Sequence, residues 1–469
     1  LNPSLLDLYG ASDRLLFSAA DYLDLSKSKT MTALQGLLAD EEARTLLSMF
    51  LLASAKKELS MCSFRLFGIE KPKEEEVWST KVTDEDLENA IEDEFGVKYS
   101  KDWKRLLKAP KNLSGKYSIR KGVKVIGDRT FFLCRFLTNI NIPNSVTTIG
   151  DLTFVFCDSL TSINIPNSVT TIGNWGLGAC KSLTSITIPN SVVTIIGNPF
   201  YGWHGILNNE SKAFIYEDHV LFNKNKTTLI AYIAKETNYT IPNSVTTIGE
   251  GAFSYCKSLI SINIPNSVTT IGEEAFGGCE FLVNINIPNS VTTIGRGAFG
   301  RCDSLTSINI PNSVTTIGNW GFGACKSLTS ITIPNSVVTI IGNPFKGWHG
   351  NLYNESKAFI YEDHVLFNKN KTTLIAFRAK ETNYTIPNSV TTIGEEAFGG
   401  CKSLVNINIP NSVTTIGRGA FKYCNSLTNI NIPNSVTAIE DGAFVNCNNI
   451  SSQIRSDIIQ RFGEEVFEL

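Results

Sequence analysis

The sequence contains few of the residues from which catalytic and metal sites are built. Only four histidines occur in 469 residues, and no two cysteines are spaced C-x-x-C, which excludes zinc-ribbon and dithiol redox motifs. Neither a G-x-x-x-x-G-K-[ST] nor an H-E-x-x-H motif is present, so the phosphate-binding loop and the zinc-protease helix that they define are absent. The sequence therefore predicts a protein that is not an enzyme and that has no cofactor and no bound metal.

The sequence also lacks a strong charge of either sign and long apolar runs. Its net charge is −2 and its lysines and arginines are dispersed, so we predict no nucleic-acid partner. No apolar run reaches the roughly 18 residues that a membrane-spanning helix needs, so we predict no membrane span. The stretch 1–25 does not have the pattern of a signal peptide. Since residue 1 is a leucine, we expect a processed product or a fragment.

A repeated unit of about 23 residues dominates the sequence. Its general form is L-x-x-I-x-I-P-x-x-V-x-x-I-G-x-x-A-F-x-x-C, and residues 160–182 are one example. Most steps from one marker proline to the next equal one unit, but the steps from Pro189 to Pro242 and from Pro334 to Pro387 are more than twice as long. Each of those two steps therefore holds an additional, irregular coil. The marker prolines are Pro143, Pro166, Pro189, Pro242, Pro265, Pro288, Pro311, Pro334, Pro387, Pro410 and Pro433.

A second, longer period lies above the first. Pro189 recurs as Pro334, and residues 173–205 differ from residues 318–350 at only two positions. Leu177 is replaced by Phe322, and Tyr201 is replaced by Lys346. This is an internal duplication with little divergence, so a feature present in both copies counts as one observation about function and not as two independent ones.

Each unit has the pattern of one coil of a solenoid. Ile163 and Ile165 alternate with polar residues, which is typical of a strand with one buried face, and Pro166 ends that strand. Ile172 belongs to a second short extended piece, and Gly173 permits the next corner. Burial of about eight side chains stabilises a coil by roughly 1.5–3 kcal/mol each, whereas ordering all residues of the coil costs about 1.5 kcal/mol per residue. A single coil is therefore not stable by itself. Coils must therefore stack, and about fourteen of them with one strand each predict a continuous parallel sheet.

The repeat resembles the BspA-like, or Treponema pallidum-type, leucine-rich repeats. The irregular segments at 214–242 and 359–387 and the closing stretch IIQRFGEEVF at 458–467 are also similar to that family. The resemblance covers residues 105–469 and implies a leucine-rich-repeat solenoid, a right-handed coil with a parallel β-sheet. It further implies a cell-surface or secreted protein connected with adhesion and protein binding, without shared catalytic residues. A cytoplasmic location stays open as the alternative.

We predict three regions along the chain. Residues 1–105 lack the repeat and are expected to form a helical N-terminal region, with helices within 30–61 and 83–95, the second capped by Thr83. Residues 106–450 are the solenoid, with irregular coils at about 197–241 and 342–386. Residues 451–469 are expected to form a C-terminal helix, because the last coil of a solenoid needs a polar cap.

The cysteines and histidines are weak candidates for chemistry. Stacked side chains at one position of the repeat are about 4.8 Å apart, which is beyond the roughly 3.5–4.5 Å between the Cβ atoms of a disulfide. A ladder of buried free thiols is therefore predicted. The ten cysteines in this register are Cys134, Cys157, Cys180, Cys256, Cys279, Cys302, Cys325, Cys401, Cys424 and Cys447. The histidines are two pairs related by the duplication, and we predict no metal site at them.

The candidate partner-binding residues are aromatic residues near the interruptions and polar residues of the strands. Trp175 and Trp320 replace a variable position and are expected to be exposed. Trp203 and Trp348 either anchor a partner or fill an irregular coil, and filling is the preferred interpretation. The outward strand positions form either a solvated face or a hydrogen-bonding surface. The candidates on that face are Asn164, Asn263, Asn286, Asn309, Asn408 and Asn431.

Three functions compete at this point. The leading hypothesis is a non-enzymatic binding or adhesion scaffold that presents its sheet face and irregular coils to a protein or glycan partner. The second is an effector or enzyme whose activity resides in residues 1–105, with the repeats as the targeting module. The third is a passive surface spacer. The absence of catalytic motifs in the repeats favours the first hypothesis.

Overall fold

Most full coils contribute two short strands, and the second of them forms from the short extended piece predicted around Ile172. The computed structural model describes residues 78–468. They form a parallel β-solenoid of about 15 turns with units of about 23 residues. The first strand of a coil comes before the marker proline, and we call these segments the pre-proline strands. The second, most often the dipeptide Thr-Ile, follows the proline, and we call these the Thr-Ile strands.

The pre-proline strands pair in parallel in sheets of two or three strands. Equivalent residues of successive coils are direct neighbours, as Asn383, Asn406 and Asn429 are. Two of these strands, β12 (Ile206–Asn209) and β25 (Asn351–Asn354), belong to the irregular coils but pair in the same way. The set is β4 Ser114–Ser118, β6 Phe136–Asn141, β8 Ser162–Ile163, β10 Ser185–Ile188, β12 Ile206–Asn209, β16 Asn238–Thr240, β18 Ser261–Asn263, β20 Asn284–Ile285, β23 Ser330–Ile333, β25 Asn351–Asn354, β29 Asn383–Thr385, β31 Asn406–Asn408 and β33 Asn429–Asn431.

The Thr-Ile strands form three longer ladders, one for each section of the solenoid. Within a ladder threonine pairs with threonine and isoleucine with isoleucine, as Thr148 and Ile149 do with Thr171 and Ile172. The set is β3 Arg105–Lys108, β5 Val125–Ile126, β7 Thr148–Ile149, β9 Thr171–Ile172, β11 Thr194–Ile195, β15 Thr228–Tyr232, β17 Thr247–Ile248, β19 Thr270–Ile271, β21 Thr293–Ile294, β22 Thr316–Ile317, β24 Thr339–Ile340, β28 Thr373–Phe377, β30 Thr392–Ile393, β32 Thr415–Ile416 and β34 Ala438–Ile439.

Columns of identical side chains fill the interior. Where successive turns carry a phenylalanine at the same position of the repeat, the rings stack, with centroids 5.5 Å apart for Phe276 and Phe299 and 5.3 Å apart for Phe421 and Phe444. Both pairs are nearly parallel and fully buried. Because the apolar residues stand at the same positions in every coil, each coil buries both of its faces against its neighbours.

Two antiparallel hairpins interrupt the solenoid and divide its core. Strands β13 (Phe214–Glu217) and β14 (Val220–Asn223) pair with β15, and β26 (Phe359–Glu362) and β27 (Val365–Asn368) pair with β28. The middle strand of each small sheet, β14 or β27, is buried on both faces. Leu221 packs in the core before the first hairpin, whereas its neighbours Val220 and Phe222 pack in the core after it. The hairpins are therefore partitions between three hydrophobic clusters.

The prediction of a helical N-terminal region is not supported by the part of the chain that the structure describes. The helix expected within 30–61 lies outside the described residues. In 83–95 only α1 (Asp84–Glu88) is helical, although Thr83 caps it as predicted. The chain then forms the hairpin β1 (Ile91–Glu92) and β2 (Lys98–Tyr99). Its turn is held by the Asp93 carboxylate, which accepts two backbone N–H groups, so turn chemistry prevails over helix propensity.

The predicted C-terminal helix is present as α2 (Ser452–Phe462), and a 3-10 turn at Glu464–Phe467 follows it. The 3-10 turn supplies the missing rung of the last coil, because Phe444 N–H donates to Val466 O at 2.8 Å. Phe467 continues the phenylalanine column at 5.5 Å from Phe444. Arg461 donates to the main-chain oxygens of Ile432 and Pro433 at 2.8 and 3.0 Å. Helix and turn together close the end of the solenoid.

Candidate binding surfaces

The six candidate asparagines occupy one exposed position, two residues before the marker proline, and all but Asn309 lie at or just after the end of a pre-proline strand. Asn263, Asn286 and Asn309 lie in three successive coils of the middle section, and Asn408 and Asn431 are paired neighbours in the last section. Asn164 lies in the first section, in a different sheet. The structure therefore brings the candidates together as groups within each section.

A second polar column runs two residues earlier on the same strands and bonds to itself. Asn429 Nδ2 donates to Asn406 Oδ1 at 2.7 Å, and Asn406 donates in turn to Asn383. In the first section Asn139 Nδ2 donates to Ser162 Oγ at 2.8 Å. The six candidate asparagines make no such side-chain bonds within residues 78–468. All six residues are exposed.

Trp175 and Trp320 are half-buried, not exposed as expected, and they lie on the turn between the Thr-Ile strand and the cysteine. The Trp175 ring stacks on Tyr201 at a centroid distance of 4.4 Å. The Trp320 ring has the Arg301 guanidinium at 5.3 Å and the Lys346 ammonium at 5.7 Å. Neither indole belongs to the strand face that carries the asparagines, so the predicted contact residues form two separate surfaces.

Trp203 and Trp348 are buried, with 3% and 2% of their surface exposed. Each indole Nε1 donates to a main-chain oxygen, of Leu183 and Leu328 respectively, at 2.7 Å. These two residues fill the irregular coils, and burial removes them from the set of surface contacts. Their position follows from the repeat, because Trp203 comes one full repeat unit after Cys180 and therefore lies in the buried cysteine register.

The ten cysteines of the array are free thiols, and nine of them are fully buried. Most donate a hydrogen bond to the main-chain oxygen of a phenylalanine in the preceding coil, as Cys325 does to Phe299 and Cys424 does to Phe398, both at 3.0 Å. Burial raises the pKa of Cys325 to about 12, so the thiol stays protonated and keeps donating. The cysteine column is a structural link between coils, as a ladder of thiols predicts.

The histidines and glycines show no arrangement that holds a cofactor. Burial lowers the pKa of His204 and of His349, and His219 Nδ1 lies 3.3 Å from the hydroxyl of Tyr216. Among residues 78–468 no three potential ligands cluster around a metal position. The string G-x-G-x-x-G does occur at 295–300, but it is the turn of a regular coil and no helix follows it. In the same range no helix is long and apolar enough to cross a membrane.

The strands, columns and hairpins together define a leucine-rich-repeat β-solenoid. The family model for the BspA-type leucine-rich-repeat region matches residues 111–213, 231–350 and 376–469, in six copies. The chain therefore belongs to the family of proteins with BspA-type leucine-rich repeats, as the repeat pattern indicated.

Several solved bacterial structures are similar to the chain. A leucine-rich-repeat protein from Eubacterium ventriosum is 26% identical over 71% of this chain and 82% of its own, with a TM-score of 0.39. A leucine-rich cell-surface protein from Faecalibacterium prausnitzii is 25% identical over 77% and 87%, with a TM-score of 0.38. The leucine-rich-repeat protein of T. pallidum is 24% identical over 53% and 93%, with a TM-score of 0.27. A comparison with curated protein sequences found no match.

Proposed function

We propose that the protein is a non-enzymatic binding scaffold that presents its pre-proline strand face to a protein or a glycan. The observation that carries this proposal is the column of exposed asparagines whose amides make no side-chain bonds within the described range, repeated over successive coils. An amide offers one acceptor and two donor hydrogens, so a row of them can bind many polar groups at once. The face is almost uncharged, which directs binding toward hydrogen bonds and away from long-range attraction.

A location at the cell surface or outside the cell is part of the proposal, and family membership is its support. The alternative of an effector activity in residues 1–105 gains no support from residues 78–105, because these form a short helix and strands that pack on the first coil. Arg105, for example, lies 2.7 Å from Asp86 and also donates to the main chain of Lys81. The passive-spacer alternative predicts no binding by either face and is tested by the same experiment.

The test compares the two faces of the solenoid in the full chain. One variant carries arginine at three strand-face positions, Asn263, Asn286 and Asn309. The matched control carries arginine at three exposed threonines of the same coils on the Thr-Ile side, Thr269, Thr292 and Thr315. Immobilised chain is titrated with a panel of extracellular matrix proteins and glycans, and thermal unfolding confirms that both variants are folded.

We expect saturable binding by the unmodified chain, loss of binding in the strand-face variant and retention in the control. The arginine side chains on the strand face block contact with a partner there and leave the ladder of Thr-Ile strands unchanged. An unmodified chain that binds nothing on the panel contradicts the scaffold and favours the spacer. Equal binding by the two variants removes the strand face from the proposal.

A further inference from the structure

A pocket of about 410 Å³ lies on the strand face near the C-terminal end of the solenoid. Strands β29, β31 and β33 form its floor, and Ile454 of α2 contributes to its wall. Five of its ten lining residues are asparagines, and none is charged. Asparagines also line recesses on regular coils, at Asn309 and at Asn263 and Asn286, but no helix of the described residues borders those recesses.

The pocket lining has more hydrogen-bonding capacity than the protein itself uses. In the second polar column, which here consists of Asn383, Asn406 and Asn429, Asn429 donates to Asn406, but the Oδ1 of Asn429 accepts no bond from the described residues. The column two residues further along the strands consists of Thr385, Asn408 and Asn431, all of them exposed and without a side-chain bond in the same range. Neighbouring coils place these groups about 4.8 Å apart. The result is a small array of amide and hydroxyl groups, each able to donate and to accept.

Tyr384 lies on the floor of the pocket, and its ring packs against the core on the side of the strand away from the two polar residues of β29. The Tyr384 ring packs on Phe377 at 4.7 Å and on Phe398 at 6.1 Å, which fixes its orientation. Burial raises the pKa of Tyr384 to about 12, so its hydroxyl remains a neutral group at physiological pH. Ile454 therefore supplies the apolar wall beside the cluster of amides, so apolar contact and hydrogen bonds are available in one place.

We propose that this pocket binds a neutral oligosaccharide, an inference that rests on the proposed function and narrows it to one site and one ligand class. Sugar hydroxyls both donate and accept, as the amides do, so adjacent hydroxyls match the oxygen and nitrogen of one asparagine. A sulfated or carboxylated glycan would be desolvated here without a cation to pair with it.

The same observations disfavour a peptide ligand. The main-chain groups of β31 bond to the flanking strands, so the floor of the pocket cannot extend its sheet with an added strand. Protein contacts depend on buried tryptophan, tyrosine and arginine anchors, whereas this lining has a single, half-buried tyrosine. A neutral sugar uses the groups that are present.

The first copy of the duplication carries an equivalent surface. Its equivalent strands are β16, β18 and β20, with Tyr239, Asn263 and Asn286 at the corresponding positions. Ser261 replaces Asn406, and a further coil takes the place of Ile454. Asn263 and Asn286 line a recess of their own and belong to the proposed binding face, so the control substitutions are placed on the Thr-Ile side instead.

The experiment is calorimetric titration of the full chain with neutral hexasaccharides of glucose, mannose, xylose, galactose and N-acetylglucosamine. An oligogalacturonate of the same length is the anionic probe, and an uncharged polar peptide is the third. The test variant is Asn408→Ala with Asn431→Ala, and the control is Thr414→Ala with Thr437→Ala, two exposed threonines of the same coils on the Thr-Ile side. All four residues are exposed, so we expect both variants to fold, and circular dichroism checks this.

We expect saturable binding of at least one neutral hexasaccharide, about tenfold or more weaker in the test variant, as the loss of two hydrogen bonds implies. The control should differ from the unmodified chain by less than about twofold. The proposal is overturned if no neutral hexasaccharide binds, if the anionic probe or the peptide binds more tightly, or if both variants lose affinity equally. If no sugar binds but a protein binds the strand face in the earlier experiment, the sugar proposal is wrong and the proposed scaffold function is retained.

Discussion

The two copies of the duplicated block differ in what surrounds their half-buried tryptophans. In the first copy the Trp175 ring stacks on Tyr201, and residue 251 is a glycine. In the second copy Lys346 replaces Tyr201, and Glu396 replaces Gly251. Lys346 Nζ lies 3.0 Å from Glu396 Oε1, and only 11% and 16% of these side chains are exposed. Two changes that are far apart in the sequence have therefore produced one ion pair.

This coupled change shows how the solenoid passes an interruption. The turns before and after the additional coil are in direct contact, because Asn198 Nδ2 donates to the oxygen of Gly251 at 2.8 Å. Asn174 and Asn319 likewise donate to Glu250 and Glu395, which lie beyond the interruption in each copy. Turns far apart in the sequence must therefore remain compatible with each other, while the hairpin between them packs inside.

The largest effect is expected from truncation of the buried indoles. Replacement of Trp203 or Trp348 by alanine should lower the free energy of unfolding by about 3–5 kcal/mol, through lost burial and a cavity. The loss should be larger at Trp348, because Arg378 lies 4.3 Å over that ring and the first copy has Ile233 at the equivalent position. Urea titration followed by circular dichroism measures both losses. Losses below about 2 kcal/mol would contradict the filling role.

Removal of one charge from the pair in the second copy should have the next largest effect. Glu396→Gln leaves the Lys346 ammonium mostly buried without its partner, and we expect a loss of about 2 kcal/mol in the free energy of unfolding. The control is Glu280→Gln, whose partner Lys257 lies 3.3 Å away in an exposed pair and should contribute less than about 0.5 kcal/mol. Equal effects of the two substitutions would show that burial of the pair has no energetic consequence.

The ion pair can also be transplanted into the first copy. Tyr201→Lys alone should destabilise the chain, because the new ammonium lacks the acid that Glu396 supplies in the second copy. Gly251→Glu alone should also destabilise the chain, because residue 251 has a φ of 62°, where a side chain is strained. The double variant should be about 1 kcal/mol more stable than the sum of the two single losses predicts, and this difference is the coupling energy of the pair. A double-mutant cycle on unfolding free energies measures it. Simple additivity of the two substitutions would mean that the covariation between the copies is accidental.

The smallest effect concerns the hairpin turns, which are the same in both copies. Asp218 and His219 have φ values of 47° and 60°, and Asp363 and His364 have φ values of 46° and 60°. A two-residue turn of this kind favours glycine at its second position, and a left-handed residue with a side chain costs roughly 1–2 kcal/mol. His219→Gly and His364→Gly should each therefore raise the free energy of unfolding by up to about 1 kcal/mol. Destabilisation by either substitution would assign the histidine side chain a structural contact.

The sequence predicts most of the solenoid because each buried position recurs in a fixed register. That register predicts the cysteine column and also the burial of Trp203, which shares it. The exposure of the asparagines follows from the alternation along the pre-proline strands in the same way. A period can predict such columns because identical coils leave only one arrangement that buries every equivalent side chain.

What the sequence does not predict lies where the period fails. The Lys346–Glu396 contact depends on the path of the chain through an interruption, and no repeat specifies that path. The Thr-Ile strands are mostly dipeptides, so the sequence indicates only an extended piece there and not a second sheet. Around Asp93, side-chain bonds to the backbone end a segment that has helical composition. The half-burial of Trp175 depends on Tyr201, its neighbour in the next coil.

The hairpin partitions bear on how such a chain can change in length. Each duplicated block ends in a partition that offers one face to the core behind it and the other to the core ahead. Blocks with equivalent ends can be gained or lost as whole units, because every new junction repeats one that already exists. Unequal recombination between the two near-identical copies would thus yield shorter or longer proteins that still fold. The number of blocks, and with it the length of the strand face, can then change without a new kind of interface between coils.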